Sequence, residues 1–149
     1  ADRADAAVSA TTIVGIDPGV TGAIAMIQPM VEVWDMPSTP HDLATLMRTF
    51  DANTTRVYVE KQWARPTDGK TIAFTLGQGY GEIIGVLATL GVAFHLVAPA
   101  TWKRALGVTE KADSRRKAQE LYPTASLSRV KDHGRAEALL IAEWGRRHG

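Results

Sequence analysis

Five polar residues lie at positions where their side chains could bind a cation or take part in catalysis rather than pack in the core. Asp17 and Glu60 each end a short apolar segment, and a third group follows near the C-terminal end: Asp132, His133 and Glu137. Burying a lone carboxylate is costly, so such groups are expected to have a partner or to bind a cation. Clustered carboxylate oxygens, in a chain without cysteine, favour Mg²⁺ or Mn²⁺. Because such ions promote phosphodiester hydrolysis, the pattern indicates a metal-dependent nuclease.

The third group leaves open which residue joins the two strand acids. His133 and Glu137 would share one face of a helix because they are four residues apart. Asp132 could join the site or could be the N-cap of that helix. His133 could bind the metal, act as a general acid or base, or lie at an exposed helix start. Taken singly, Asp17 and Glu60 could also cap turns or form ion pairs, but the whole set favours catalysis.

Basic residues concentrate in the C-terminal third and predict contacts to phosphate. The last 50 residues carry 11 Lys and Arg against 6 Asp and Glu, whereas the rest carries 6 against 10, which is typical of a chain that binds a polyanion. Lys103 and Lys111 could also stabilise charge at a reaction centre, so Lys103 is included among the catalytic candidates. The alternative, a solvated helix face, suits Arg116 and Lys117 best. The predicted DNA-binding residues are Lys61, Arg65, Lys70, Lys103, Arg104, Lys111, Ser114, Arg115, Arg129 and Lys131.

Aromatic residues are interspersed with the cations that follow Glu60. Trp63 and Phe74 lie among Lys61, Arg65 and Lys70, a mixture that suits unstacked bases at a distorted nucleic-acid site. Both aromatic residues could equally belong to the hydrophobic core.

Hydrophobic periodicity predicts the elements that must position these residues. It predicts strands at 12–17, 21–27, 31–34, 56–60 and 92–97, and helices at 39–50, 71–90, 101–106, 113–122 and 132–147. Three hairpin-linked strands followed by alternating helices and strands predict an α/β fold, a mixed five-stranded sheet flanked by helices. This order resembles that of ribonuclease-H-like proteins. If the first and fourth strands are neighbours, Asp17 and Glu60 point into one cleft. We expect residues 1–11 to be a flexible leader and 12–149 to be a single nuclease domain.

Several motifs in order resemble those of the RuvC-type Holliday junction resolvases, most closely the phage and plastid members. The matching segments are Gly15-Ile16-Asp17-Pro18-Gly19 with Thr21-Gly22, Val59-Glu60 with Gln62, Leu76–Gly81, Pro99–Lys103 with Lys111, and Lys131–Leu140. The resemblance covers about residues 12–147. It implies a ribonuclease-H-like fold, a homodimer, Mg²⁺ or Mn²⁺ as cofactor, and paired nicks across a four-way DNA junction.

The resemblance also implies a ligand set. It implies metal ligands at Asp17, Glu60 and Glu137. Bacterial members of the family carry a further Asp or His at the position that is Gly134 in this chain. That role therefore falls to His133 or Asp132, and we include His133 in the predicted metal set.

Dimerisation has a physical reason beyond the resemblance. A four-way junction has two-fold symmetry, so two symmetric nicks need two symmetric active sites. The predicted helix 71–90 carries Gly77, Gly79, Gly81 and Gly85, which would allow close approach of a second helix. The alternative is a crossover helix buried within one chain. No membrane partner is expected, and the bacterial cytoplasm, a phage-infected host and a plastid are all expected locations.

Two other classes of protein share parts of this pattern. Actin-like nucleotide-binding proteins open with a similar strand and an Asp near a Gly-rich turn, but they need two such lobes and this chain supplies one. A junction-binding module without catalysis, or a nuclease that processes RNA, is the other alternative. The presence of Asp17, Glu60 and Glu137 argues against loss of catalysis.

Overall fold

Five strands form one mixed sheet in the computed structural model, which describes residues 11–149. The strands are β1 (Thr12–Asp17), β2 (Ala23–Gln28), β3 (Glu32–Asp35), β4 (Thr55–Glu60) and β5 (Ala93–Val97). They lie in the order β3-β2-β1-β4-β5, with β1–β2 and β2–β3 antiparallel and β1–β4 and β4–β5 parallel. The predicted mixed sheet is confirmed, as is the pairing of the first and fourth strands. The leader predicted over residues 1–11 falls outside the described residues except for residue 11.

Five α-helices connect and flank the strands of the described chain. They are α1 (Pro40–Met47), α2 (Lys70–Thr89), α3 (Pro99–Leu106), α4 (Lys111–Leu121) and α5 (His133–His148), and a 3₁₀ turn, Val130–Asp132, leads into α5. Local chemistry sets their ends: the Asp42 amide donates to Thr39 Oγ1 over 3.1 Å at the start of α1, and α3 ends at Gly107 with a left-handed φ of 70°. Of the helices in residues 11–149, none combines the length and hydropathy of a membrane span.

The sheet carries a hydrophobic layer on each face. Residues of α3, α4 and α5 pack on one face, and residues of α1 and α2 pack on the other. The central strand β1 contributes to both layers, with Ile13 in the first and Val14 and Ile16 in the second. A strand that is covered on both sides has no polar face, which explains the continuous apolar segment in the sequence.

Helix α5 lies unusually close to β1. A Cβ atom at Gly15 would be 2.2 Å from the Ala138 carbonyl oxygen and 2.5 Å from the Ala142 amide nitrogen. Glycine on the strand and alanine on the helix therefore allow an approach that larger residues would prevent. The same approach brings Glu137, on the first turns of α5, to the C-terminal end of β1.

Candidate active site

Three carboxylates converge at the C-terminal ends of two strands and the start of a helix. The parallel register pairs Ile16 of β1 with Val59 of β4, so the next residues along, Asp17 and Glu60, end their strands side by side. Glu137 reaches the same place from α5. Asp17, Glu60 and Glu137 are all buried, and each offers an oxygen that lies within 4.8 Å of those of the other two. The structure therefore brings Asp17 and Glu60 together and adds the helix acid Glu137.

Burial and mutual repulsion set the pKa values of two of these carboxylates. Burial, followed by the charges of Glu137 and Glu60, raises the pKa of Asp17 to about 9. Burial and the charge of Glu60 also raise the pKa of Glu137. Three carboxylates at this spacing cannot all be ionised without a compensating cation. A hard divalent ion would supply that charge, and the all-oxygen donor set fits Mg²⁺ or Mn²⁺.

Two neutral side chains hold the Glu60 carboxylate within the described structure. Trp102 Nε1 donates to Glu60 Oε2 over 2.7 Å, and Gln62 Nε2 donates to Glu60 Oε1 over 3.0 Å. Trp102 is fully buried. Neither residue was predicted to belong to the site. Both lie within resolvase-like motifs, Gln62 in the second and Trp102 in Pro99–Lys103, but nothing in the sequence indicates that the Trp102 ring reaches Glu60.

Two lysines face the carboxylate cluster from the basic segment. Lys103 on α3 and Lys111 at the start of α4 both lower the pKa values of Asp17 and Glu137, opposing the effect of burial. Lys103 Nζ also lies 5.5 Å from the centre of the Trp102 ring. The structure thus brings both lysines to the acids, and their part in catalysis stays a prediction.

His133 is the first residue of α5 and is half-buried beside these lysines. Burial, then the charges of Lys111 and Lys103, lowers the pKa of His133, so its imidazole is neutral at neutral pH. Within residues 11–149, the metal-ligating group whose atoms lie within 4.8 Å of one another consists of the three carboxylates. His133 lies outside that innermost set.

Asp132 belongs to the turn before α5, and its contacts favour a structural role over the catalytic one that the sequence predicts. Its side chain is almost fully buried and accepts hydrogen bonds from the Arg129 amide over 2.9 Å and from Arg129 Nη2 over 2.7 Å. The hydrogen bond from the Arg129 side chain lowers the pKa of Asp132. Both of its oxygens are therefore committed to the turn before α5.

The resemblance to RuvC-type resolvases predicts a further metal ligand at the position that Gly134 occupies. A Cβ atom there would be 2.3 Å from the carbonyl oxygen of Thr21. The start of α5 packs directly on the backbone of the β1–β2 turn, so position 134 has no room for a side chain. The neighbouring His133 is the remaining candidate for that role.

The remaining predicted DNA contacts divide by exposure. Lys61, Arg65, Lys70, Arg104, Lys111 and Lys131 are exposed, Arg115 is half-buried, and Arg129 is exposed but paired with Asp132. Ser114 is fully buried, which corrects its assignment as a DNA contact because a hydroxyl without exposure cannot reach a phosphate. Trp63 and Phe74 are 55% and 74% exposed, so neither belongs to the core.

Comparison with known proteins finds a sequence relative. No protein-family model matches the chain. An alignment of 92 residues, covering 58% of this chain, is 36% identical to the chloroplastic Holliday junction resolvase MOC1 of Chlamydomonas reinhardtii. This chain spans only 10% of the length of that relative.

Solved structures extend the likeness to nearly the whole chain. A structure of T. thermophilus RuvC in complex with a Holliday junction substrate matches with a TM-score of 0.68 and 18% identity, covering 93% of this chain and 96% of that one. The fold is that of RuvC. A second Thermus thermophilus RuvC structure matches this RuvC fold with a TM-score of 0.63 and 20% identity, over 89% of this chain and 91% of that one. The predicted ribonuclease-H-like architecture is confirmed.

Proposed function

We propose that this chain is a divalent-metal-dependent endonuclease that resolves four-way DNA junctions. The observation that carries the proposal is the buried cluster of Asp17, Glu60 and Glu137, set beside two lysines in a RuvC fold. One matched RuvC structure contains a Holliday junction substrate, and the relative from Chlamydomonas reinhardtii is named as a Holliday junction resolvase. We extend that activity to this chain.

The three carboxylates would hold the cofactor, Mg²⁺ or Mn²⁺. When bound, such an ion polarises a phosphate and lowers the pKa of a water. The chain contributes a preformed cradle: Glu60 is fixed by two hydrogen bonds, and Asp17 and Glu137 lose their repulsion once a cation is present. Burial strengthens the attraction between this cradle and a cation because the local dielectric is low.

Lys103, Lys111 and His133 have the chemistry to act on the scissile phosphate. The two lysines lie close enough to influence the cluster electrostatically, so they would bind the phosphate and stabilise the charge that develops on it. His133 is neutral at neutral pH, since its pKa is lowered. A neutral imidazole can accept a proton or bind a metal, and we assign His133 one of these two roles.

The exposed cations and aromatic residues would hold the arms of the junction. Lysine and arginine bind phosphates without regard to sequence, which suits an enzyme that recognises shape. Trp63 and Phe74 are exposed beside them and would stack on bases unpaired at the crossover point. The DNA contacts in this proposal are Lys61, Arg65, Lys70, Lys103, Arg104, Lys111, Arg115 and Lys131.

We propose that two copies act together through α2. This helix buries only Ile83 and Leu87 in its own chain. On its outer side, apart from the helix's own backbone and the adjacent residues, no atom of residues 11–149 lies within 4 Å of a Cβ built at Gly77, Gly81 or Gly85, and these positions share one helix face. A crossover helix buried within the monomer would not leave this face bare, so the exposed glycines support a helix–helix contact with a second copy.

Location follows from the proposed substrate. The relative named above is a chloroplastic protein, and the bacterial cytoplasm, a phage-infected host and a plastid all contain recombining DNA. We propose that the enzyme acts in one of these compartments.

Cleavage of a synthetic four-way junction tests the proposal. With Mg²⁺ the protein should introduce paired nicks in the junction and leave duplex DNA and an RNA–DNA hybrid uncut. Asp17→Asn should bind the junction with unchanged affinity and lose cutting. Asp42→Asn, the same change at an exposed aspartate of α1, is the matched control and should cut normally. Normal cutting by Asp17→Asn would show that the active site lies elsewhere, and preferred cutting of the hybrid would indicate an RNA-processing nuclease instead.

A further inference from the structure

Trp102 connects the basic helix α3 to the acidic cluster. Its indole ring is fully buried, yet its N–H reaches Glu60 Oε2 over 2.7 Å, from 42 residues away in the sequence. A tryptophan that is buried only for packing also needs a hydrogen-bond acceptor for this N–H, but any acceptor would serve. In this chain the acceptor is one of the three carboxylates that define the candidate metal site.

The chemistry of this hydrogen bond leaves Glu60 free to bind a cation. Each carboxylate oxygen has two lone pairs. Trp102 uses one on Oε2, and Gln62 uses one on Oε1, so one lone pair remains on each oxygen. Both donors are neutral, so they orient Glu60 without competing with a cation for its charge. The bond to Trp102 is also shielded from water, whereas Gln62 is only partly buried.

We propose that Trp102 is a positioning residue, whose indole N–H fixes the Glu60 carboxylate in the orientation that binds the metal ion. This inference rests on the proposed metal site. Lys103, the next residue on α3, lies 5.5 Å from the centre of the same ring. One short helix thus positions a metal ligand through Trp102 and presents a cation for the phosphate through Lys103.

The test compares Mn²⁺ binding by wild type and Trp102→Phe, measured by electron paramagnetic resonance of the free ion. Phenylalanine keeps an aromatic ring but lacks the donor. Loss of a hydrogen bond that orients a metal ligand typically weakens binding by about 10-fold to 100-fold, and we expect a dissociation constant at least about 10-fold higher. Junction affinity without metal should not change. Trp144→Phe, on the half-buried ring that packs on Tyr58, is the matched control and should bind Mn²⁺ normally.

A purely structural role for Trp102 predicts a different result. Trp102→Phe would then unfold at a lower temperature, while its folded fraction would bind Mn²⁺ as tightly as the wild type. That outcome would overturn the proposal.

Wild-type protein provides a second measurement in case Trp102→Phe does not fold. In protein with ¹⁵N-labelled tryptophan, Mg²⁺ should shift the indole N–H resonance of Trp102 and leave that of Trp144 in place. The resonances are assigned with Trp34→Phe, Trp63→Phe and Trp144→Phe, which leave Trp102 by elimination. A Trp102 resonance that saturating Mg²⁺ does not move would refute the positioning role alone. Wild-type protein that binds neither Mn²⁺ nor Mg²⁺ would refute the metal site itself.

Discussion

At the scale of single residues, Asp17 is the residue whose environment is least favourable without a ligand. Its pKa in the folded protein is about 9, against an ordinary value of 3.8. Between pH 3.8 and about 9, the folded state therefore keeps a proton on Asp17 that the unfolded state has lost. By linkage, the contribution of Asp17 to the stability of the fold is fully present below pH 3.8 and is lost as the pH rises towards 9.

This linkage gives a prediction for the metal-free protein. Its melting temperature should fall as the pH rises from 5 to about 9, and the fall should be smaller in Asp17→Asn, which cannot ionise at position 17 but keeps Glu137 with its raised pKa. At pH 8 the variant should melt at least about 3 °C above wild type, since 1 kcal/mol corresponds to about 2–4 °C at this chain length. Saturating Mg²⁺ should remove most of the pH dependence of the wild type. Thermal unfolding at several pH values measures this, and identical slopes for both proteins would contradict it.

Variants of two neighbouring residues, His133 and Asp132, test which of them is the fourth residue of the site. His133→Gln should lower the cleavage rate by about 100-fold or more, as expected for loss of a general base or acid, and should leave junction affinity unchanged. Asp132→Asn should cut within about threefold of wild type. Because Asp132 is buried and bonded to Arg129, that variant should instead lose about 1–3 kcal/mol of stability. Single-turnover cleavage and urea unfolding distinguish them, and the reverse pattern would restore Asp132 to the site.

The sequence predicts some of these residues and not others for a physical reason. Asp17 and Glu60 are visible because an acid at the end of an apolar strand has no packing role. The choice between His133 and Asp132 depends on where α5 begins, and a shift of one residue there changes which side chain faces the acids. Trp102 was missed because periodicity shows that a residue is buried but not which atom its polar group meets.

At the scale of elements, the contact between β1 and α5 determines whether the site forms. Gly15→Ala should cost about 3 kcal/mol or more, since its Cβ would overlap the backbone of α5 and overpacking of a core typically costs about 1–3 kcal/mol. It should also weaken Mn²⁺ binding by displacing Glu137. Gly79→Ala is the matched control: it lies off the face proposed for dimerisation, its Cβ meets open space, and removing a helix glycine gains roughly 1 kcal/mol. Urea unfolding and Mn²⁺ titration check both variants, and equal stabilities would refute the close-packing argument.

Element types were predictable from periodicity, and element ends were less so. Short apolar segments rich in β-branched residues, continuous in β1 and alternating in β4, predicted all five strands, including β5 at the edge of the sheet. Helix α1 ends at Met47 rather than at residue 50, and α3 begins at Pro99 rather than at residue 101. The latter difference follows from proline, which is favoured in the first turn of a helix because it needs no hydrogen-bond acceptor there.

At the scale of the whole molecule, the bare face of α2 predicts the oligomeric state. Gly81→Leu places a large side chain on the glycine face and should convert the proposed dimer to a monomer in sedimentation. Gly79→Leu, two residues away and about 200° around the axis, is the matched control and should remain dimeric. The monomer should nick junctions singly instead of in pairs. A wild-type protein that sediments as a monomer in the presence of junction DNA would contradict the prediction.

Asp17, Glu60 and Glu137 come from widely separated points of the chain and meet only when α5 has docked against β1. During synthesis, α5 leaves the ribosome long after the two strands that carry the other acids. A chain interrupted before α5 therefore has at most two of the three carboxylates and no cradle for a cation. Truncated and partly folded copies should lack the metal site, so the proposed nuclease activity depends on the contact between α5 and β1.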